Sequence, residues 1–195
     1  MPEGTSLRER RRTETAAAIV DAGRALFRDV GYAATRTGDI ARSAGLSEAT
    51  LFRYFPAKSS IALAATGDRM DLVLELLATQ PDGVDAVEAA FGVVGALRVA
   101  ELFGPDDPVV GEIALVVTEP ELRPALDARI NAASATAAEV FARRAGRSTP
   151  ELVDRVQAHA VVGAVQAAAE AWLADIDGAP FLDVLTEAFG LLALR

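Results

Sequence analysis

The sequence predicts an all-α protein: an N-terminal three-helix domain with a helix-turn-helix, followed by a larger helical domain, about nine helices in all. Three observations carry this. Apolar residues recur at three-to-four residue spacing between glycine- and proline-marked stops, and no strand signal interrupts them. The stretch from Thr37 to Lys58, TGDIARSAGLSEATLFRYFPAK, also has the spacing of two crossed helices. Ala41 has little bulk, so the second helix can cross close over the first. Gly45 can take the positive φ that ends a helix after Ala44, and Leu51 meets Ile40 inside the angle. Ser47 is placed to cap the second helix, with Glu48 at its positive end.

Taken in order, residues 1–12 lack apolar periodicity and end in Arg8, Arg10, Arg11 and Arg12, which reads as a flexible basic arm. Thr13 caps a first helix whose Ile19, Leu26, Phe27 and Val30 share a face, and these join Ile40, Leu46, Leu51 and Phe55 in a small core. That domain spans residues 13–58, and residues 59–195 form the second. A helix from about Ser59 to Thr79 stops at Pro81-Asp82-Gly83, and the next runs from about Val84 to Phe103 before Gly104-Pro105. Pro108 opens a short helix. Thr118-Glu119-Pro120-Glu121 has capping-box spacing and starts a helix that continues to Ala145 and ends at Gly146. Ser148-Thr149-Pro150-Glu151 repeats the spacing for a helix reaching Asp175, and Asp177-Gly178 separates it from a last helix beginning near Pro180.

The 195 residues, 51% of them hydrophobic, are enough for a substantial core. With no cysteine there is no disulfide framework, thiolate nucleophile or Cys-based zinc site, and the polar, arginine-rich start gives secretion no support, so the expected location is cytoplasmic. The most apolar stretch, Ala158 to Ala169, is too short to span a membrane and contains His159 and Gln166. The net charge of −9 hides an asymmetry. Residues 1–58 carry ten Arg and Lys against seven Asp and Glu, whereas residues 59–195 carry nine against twenty-one. A basic end beside an acidic remainder directs one end of the molecule toward phosphates.

The stretch from Asp39 to Lys58, preceded by Val30-Gly31-Tyr32, resembles the TetR-type bacterial transcriptional repressors over roughly residues 13–62. It fits their pattern DIA-x-x-AG-[VL]-S-x-x-T-L-[FY]-x-[YH]-F-x-x-K position for position. The resemblance implies a homodimer on a double-stranded, near-palindromic DNA operator. Thr50, Tyr54 and Lys58 are then phosphate contacts, Glu48, Ala49 and Arg53 face base edges, and Arg36, Thr37 and Ser47 complete the DNA-binding set at the two helix starts. Two positions depart from the pattern: Arg36 stands where the family has a Ser or Thr cap, and Gly38 where it often has a polar reader. TLFRYFPAK together with Trp172-Leu173-Ala174-Asp175 is similar to a subgroup that answers to long-chain acyl-CoA thioesters. That implies an apolar small-molecule effector, with Arg98, Arg129 or Arg143 available to a phosphate at the cavity mouth.

In the larger domain the helix containing Ala158 to Ala169 is apolar nearly all round and must be covered on every side. Its own subunit can cover one side, and a second subunit the other, through Val161, Val162, Gly163, Val165 and Leu182. The same pattern would suit the central helix of a monomer. Phe91, Arg98, Glu101, His159 and Gln166 are the candidate ligand-binding residues, with His159 also readable as a satisfied core histidine. A single histidine, no cysteine and no G-x-S-x-G turn leave neither a catalytic set nor a metal site, and no cofactor is implied. The reading is a ligand-responsive repressor, not an enzyme. A large domain that binds a protein partner, and an all-α enzyme, remain the competing classes.

Overall fold

The structure, a computed structural model, describes residues 7–81, 83–103, 107–175 and 178–193. Among these it is all-α and divides into two compact units, Met1–Ala64 with Thr118–Ala125, and Ala65–Val117 with Leu126–Arg195. The first division falls at Ala64 rather than after Lys58.

The first unit holds α1 (Leu7–Val30), α2 (Thr37–Ser43), α3 (Glu48–Tyr54), α4 (Lys58–Ala62) and a 3₁₀ turn, Pro120–Leu122. Ile19, Phe27, Tyr32, Ile40, Leu51, Ile61 and Leu122 form its buried interior. Gly23 lets α1 and α4 close: a Cβ there would lie 2.7 Å from Ile61 Cγ2. Residues 7–12 form the first turns of α1 instead of an arm, and residues 1–6 lie outside the described residues. Thr13 therefore sits inside the helix, its hydroxyl donating to Glu9 O at 3.1 Å. Val30, assigned above to the core, is exposed, and Leu46 and Phe55 are half-buried.

Lys58 ties the start of α4 to the turn after α1. Its Nζ donates to Tyr32 O at 2.7 Å and to Thr35 O at 3.2 Å, and lies 3.9 Å from the centre of the Tyr32 ring. The ring is buried; desolvation first, then the Glu121 and Glu119 carboxylates, push its phenol up to about 12. At neutral pH Lys58 therefore faces an uncharged ring and two carbonyls.

The second unit holds α5 (Ala64–Ala78), α6 (Ala86–Val99), α7 (Pro108–Thr118), α8 (Arg123–Arg144), α9 (Leu152–Ala174) and α10 (Phe181–Ala193), with the first residues of α5 and α8 and the last of α7 counted in the other unit. The expected helix over residues 59–79 is two helices separated at Leu63, which raises the total to ten α-helices among the described residues. No glycine or proline marks the break. The new N-terminus is completed from α7, where the buried Glu112 carboxylate accepts from Ala65 N at 2.9 Å, Thr66 N at 2.7 Å and Thr66 Oγ1 at 2.8 Å. The start of α6 is local: Asp85 accepts from the N–H groups of Val87 and Glu88.

The core of this unit is built from Val93, Val94 and Leu97 of α6, Val140 and Phe141 of α8, Val161 and Trp172 of α9, and Leu182, Leu185 and Phe189 of α10. Trp172 meets Phe181 edge-on at 5.7 Å. The cap of α9 is not the expected Ser148 box. Glu151 N donates to Asp154 Oδ2 at 2.8 Å, and Arg147 binds both Asp154 oxygens. The Arg147 bond comes first among the causes that hold the Asp154 carboxyl below its usual range, against desolvation.

Two tests follow from these ties. Lys58→Ala should cost about 1.5–3 kcal/mol in urea denaturation, the range for hydrogen bonds to a charged group; unchanged stability would return Lys58 to a purely external role. Asp154→Asn should lower the melting temperature at pH 7. A depressed carboxylate pKa stabilises the fold above its unfolded value of ~3.9, and that stability is lost as pH falls through the folded value. The gap between wild type and variant should therefore narrow below about pH 4, and a constant gap across the acid series rejects the linkage.

Candidate nucleic-acid interface and ligand cavity

The angle between α2 and α3 is set by local chemistry. Gly45 has φ +71°, its N–H donates to Arg42 O at 3.1 Å, and Leu46 N donates to Ala41 O at 2.8 Å. Ser47 Oγ then accepts from Thr50 N at 3.1 Å and caps α3. Arg36, at the start of α2, makes no side-chain cap. Thr37 Oγ1 instead donates to Glu48 Oε1 at 2.5 Å, joining the starts of the two helices.

Burial of Leu51 fixes the rotation of α3, so Glu48, Ala49, Phe52 and Arg53 are exposed together while Thr50 and Tyr54 are half-buried. Arg53 lies 5.7 Å from the Tyr54 ring centre. Phe52 was not singled out from the sequence; an exposed aromatic beside Arg53 extends the same surface. Lys58, expected among the phosphate contacts, gives two of its three N–H donors to carbonyls of its own unit.

The second unit holds a partly open cavity of about 190 Å³ walled by α5, α6, α7, α8, α9 and α10 together with Phe103. Its walls are apolar apart from Thr66, Arg69 and Gln166. Of the expected ligand residues Gln166 lines it, and Phe91, Arg98, Glu101 and His159 do not. Phe91 packs edge-on against Phe189 at 5.9 Å. Arg98 is spent on α10, donating to Leu182 O, Asp183 Oδ1 and Thr186 Oγ1 at 2.8, 2.6 and 3.0 Å. Glu101 is exposed in the turn after α6, with φ +53°. His159 is exposed as well, its Nδ1 2.9 Å from Arg155 O, so the core-histidine reading also fails.

The cause is the rotational phase of α9. Asp154, Ala158, Val161, Val165, Ala168 and Trp172 recur at alternating four- and three-residue steps and face inward, which turns His159 out. It also revises the expected interface set. Val161 and Leu182 are buried in their own subunit's core, Val162 and Val165 line the cavity, and Gly163 alone of the five is exposed.

The polar end of the cavity was not found from the sequence. Arg69 Nη2 donates to Asp107 Oδ2 at 2.8 Å, and its Cζ lies 4.5 Å from the Phe103 ring centre. Desolvation raises the Asp107 pKa, but the N–H groups of Val109 and Phe103 and the Arg69 guanidinium outweigh it and hold the carboxyl below its usual range. Asp107 before Pro108 carries an ordinary helix-start signal, whereas nothing local marks Arg69. Among the described residues, no group of three His, Cys, Asp or Glu is placed to hold a metal, and no helix is long and apolar enough to cross a membrane.

Comparison with known proteins matches both parts of the chain to described families. Residues 19–65 match the family described as bacterial regulatory proteins, tetR family, and residues 84–195 match the MftR C-terminal domain. A Mycobacterium tuberculosis protein, named provisionally as the mycofactocin biosynthesis transcriptional regulator MftR, is 27% identical over 184 residues, covering 93% of this chain and 88% of that one. Among solved structures, Thermus thermophilus FadR in complex with lauroyl-CoA aligns with a TM-score of 0.55 at 22% identity, over 91% of this chain and 93% of its own. Bacillus subtilis FadR in complex with stearoyl-CoA aligns at 0.56 and 18%, over 91% and 97%. With its helix-turn-helix matched by one description and more than half of its length by the other, the chain belongs to the TetR family of bacterial transcriptional regulators, which are not enzymes.

Proposed function

We propose that the chain is a cytoplasmic repressor that binds a near-palindromic operator as a homodimer and releases it when an apolar effector fills the cavity of the second unit. The observation that carries this reading is the mainly apolar cavity in a TetR-family chain whose α3 presents Glu48, Ala49 and Arg53 to solvent. On this reading those three side chains face base edges, Thr50 and Tyr54 contact phosphates, and Arg36, Thr37 and Ser47 lie at the helix starts beside them. Two recognition helices related by a two-fold axis meet half-sites about one helical turn apart, ~34–36 Å.

The dimer face we assign is the outward side of α9, where Val156, Ala160, Gly163 and Ala167 are exposed at the same alternating steps as the inward stripe. A Cβ at Gly163 would meet nothing within 4 Å, so the subunit itself does not require glycine there. Long-chain acyl-CoA is the effector class we favour, supported by the lauroyl-CoA and stearoyl-CoA complexes of the two FadR proteins of like fold.

Arg53→Ala should relax preference at one base pair at a cost of ~1–3 kcal/mol, while Tyr54→Phe should weaken all sequences alike, in binding assays on an operator and its single-base variants. Identical profiles for the two variants would remove the division of roles. Gly163→Arg should give monomers in sedimentation and a matching loss of operator affinity; a variant that stays dimeric moves the interface elsewhere. Titrating the protein–operator complex with acyl-CoAs of increasing chain length should release DNA increasingly, and a flat response across the series rules out this effector class.

A further inference from the structure

Arg69 is the single charged residue among those lining the cavity. Its side chain keeps 15% exposure, and it stands in a lining whose other polar residues are Thr66 and Gln166. Nη2 is committed to Asp107, but Nη1 is buried and has no hydrogen-bond partner among the described residues. A buried donor without an acceptor bears its full desolvation cost, more so on a charged group, and folded proteins leave few such atoms unexplained. An ordered water is a poor remedy, because a buried water wants two to four polar partners. Thr66 and Gln166, the other polar residues of the lining, make no hydrogen bond to Nη1.

The charge state of the site narrows what could satisfy Nη1. Asp107 neutralises Arg69, so the pair offers one unpartnered donor nitrogen with no net positive charge. A second carboxylate brought in beside Asp107 would be a buried charge without its own counter-ion, whereas a neutral carbonyl oxygen takes the bond without that cost. We infer that Arg69 anchors the effector through Nη1 to a neutral carbonyl oxygen, as in a thioester or ester, with the apolar chain lying along Leu77, Val93, Leu185 and Phe189. This rests on the cavity being the effector site. A carbonyl held at Arg69, which keeps some exposure, lets a bulky head group reach solvent while the chain lies among apolar residues. Nη1 is buried, so the incoming oxygen replaces what packs over it.

The test is displacement of the fluorescent apolar probe N-phenylnaphthylamine from the full-length protein, without DNA, by chain-matched competitors: decane, methyl decanoate, decanoyl-CoA and decanoate. For wild type the ester and thioester should bind more tightly than decane, with decanoate below the ester. In Arg69→Met the advantage of methyl decanoate over decane should fall by at least about tenfold, the smaller end of what a hydrogen bond to a charged group supplies, while decane binding is kept. Retained decane binding also reports that the variant is folded. If the loss of Arg69 beside Asp107 prevents folding, Arg69→Lys keeps the charge but lacks the second nitrogen, and the same fall is expected. An ester advantage that survives either substitution overturns the anchor, as does decanoate outcompeting the ester in wild type. Failure of every competitor and of the probe itself would remove the cavity reading, and the anchor with it, which is a different pattern from decane binding with no preference for the ester.

Discussion

The Glu112 carboxylate on α7 is the interaction on which the arrangement of the second unit turns. The start of α5 has no acceptor of its own, since Leu63 and Ala64 carry only apolar side chains, and the first N–H groups of a helix need partners. Glu112 supplies them from 46 and 47 residues away and also takes the Thr66 hydroxyl. A carboxylate with 4% exposure is tolerable there because three donors and the positive end of a helix surround it. One turn further along α5, Arg69 is held by Asp107, the residue just before α7. Two acidic groups thus fasten one helix to the other at Thr66 and Arg69, both of which line the cavity. Whatever enters at that end meets the same groups that hold α5 and α7 together.

The same division between local and distant partners separates what could be read in the sequence from what could not. The helix-turn-helix was legible because each of its devices is complete within a few residues: the positive φ of Gly45, the Ser47 cap on Thr50, the contact region of Ile40 and Leu51. The break at Leu63 was invisible because its cap lies on α7, and a pattern with no glycine or proline reads as one continuous helix. Lys58 has a structural role that a positional match does not show: its ammonium is bound to carbonyls 26 and 23 residues upstream. The polar end of the cavity was hidden for the same reason, Arg69 and Asp107 being 38 residues apart.

The α9 helix was misread for a different reason. Between Ala158 and Ala169 both of its faces are apolar and mostly small, so hydrophobic periodicity gives no phase. Its ends do. Asp154 is buried against Arg147 and Trp172 is buried against Phe181, and the alternating steps between these two carry Val161 and Val165 inward. With those positions committed, the residues left outside are Val156, Ala160, Gly163 and Ala167. An exposed glycine in mid-helix gives up roughly 0.8–1 kcal/mol relative to alanine, and nothing within the subunit recovers it. On the proposed reading, close approach by a second helix is the use of this surface.

On the proposed reading, the cavity also constrains how an effector could act. A ligand that fits equally well in the DNA-binding and released states shifts nothing, and a near-complete switch needs ~5.5 kcal/mol of preference. At ~25 cal/mol per Å² of apolar surface, that corresponds to roughly 220 Å² more contact in one state than in the other. A cavity of about 190 Å³ lies below the ~300–1,000 Å³ of ordinary ligand sites, so a long acyl chain has to enlarge it. Enlargement is itself the source of preference, because only the expanded state gains the extra contact. One element that joins the cavity to both units is α7, which lines it through Val109. It begins at Asp107 beside Arg69, carries Glu112, and ends at Thr118, where the chain passes into the helix-turn-helix unit. A displacement of α7 would loosen the cap on α5 at another of the three points where the chain crosses between the units, Ala64 to Ala65, so one movement acts on two of those connections.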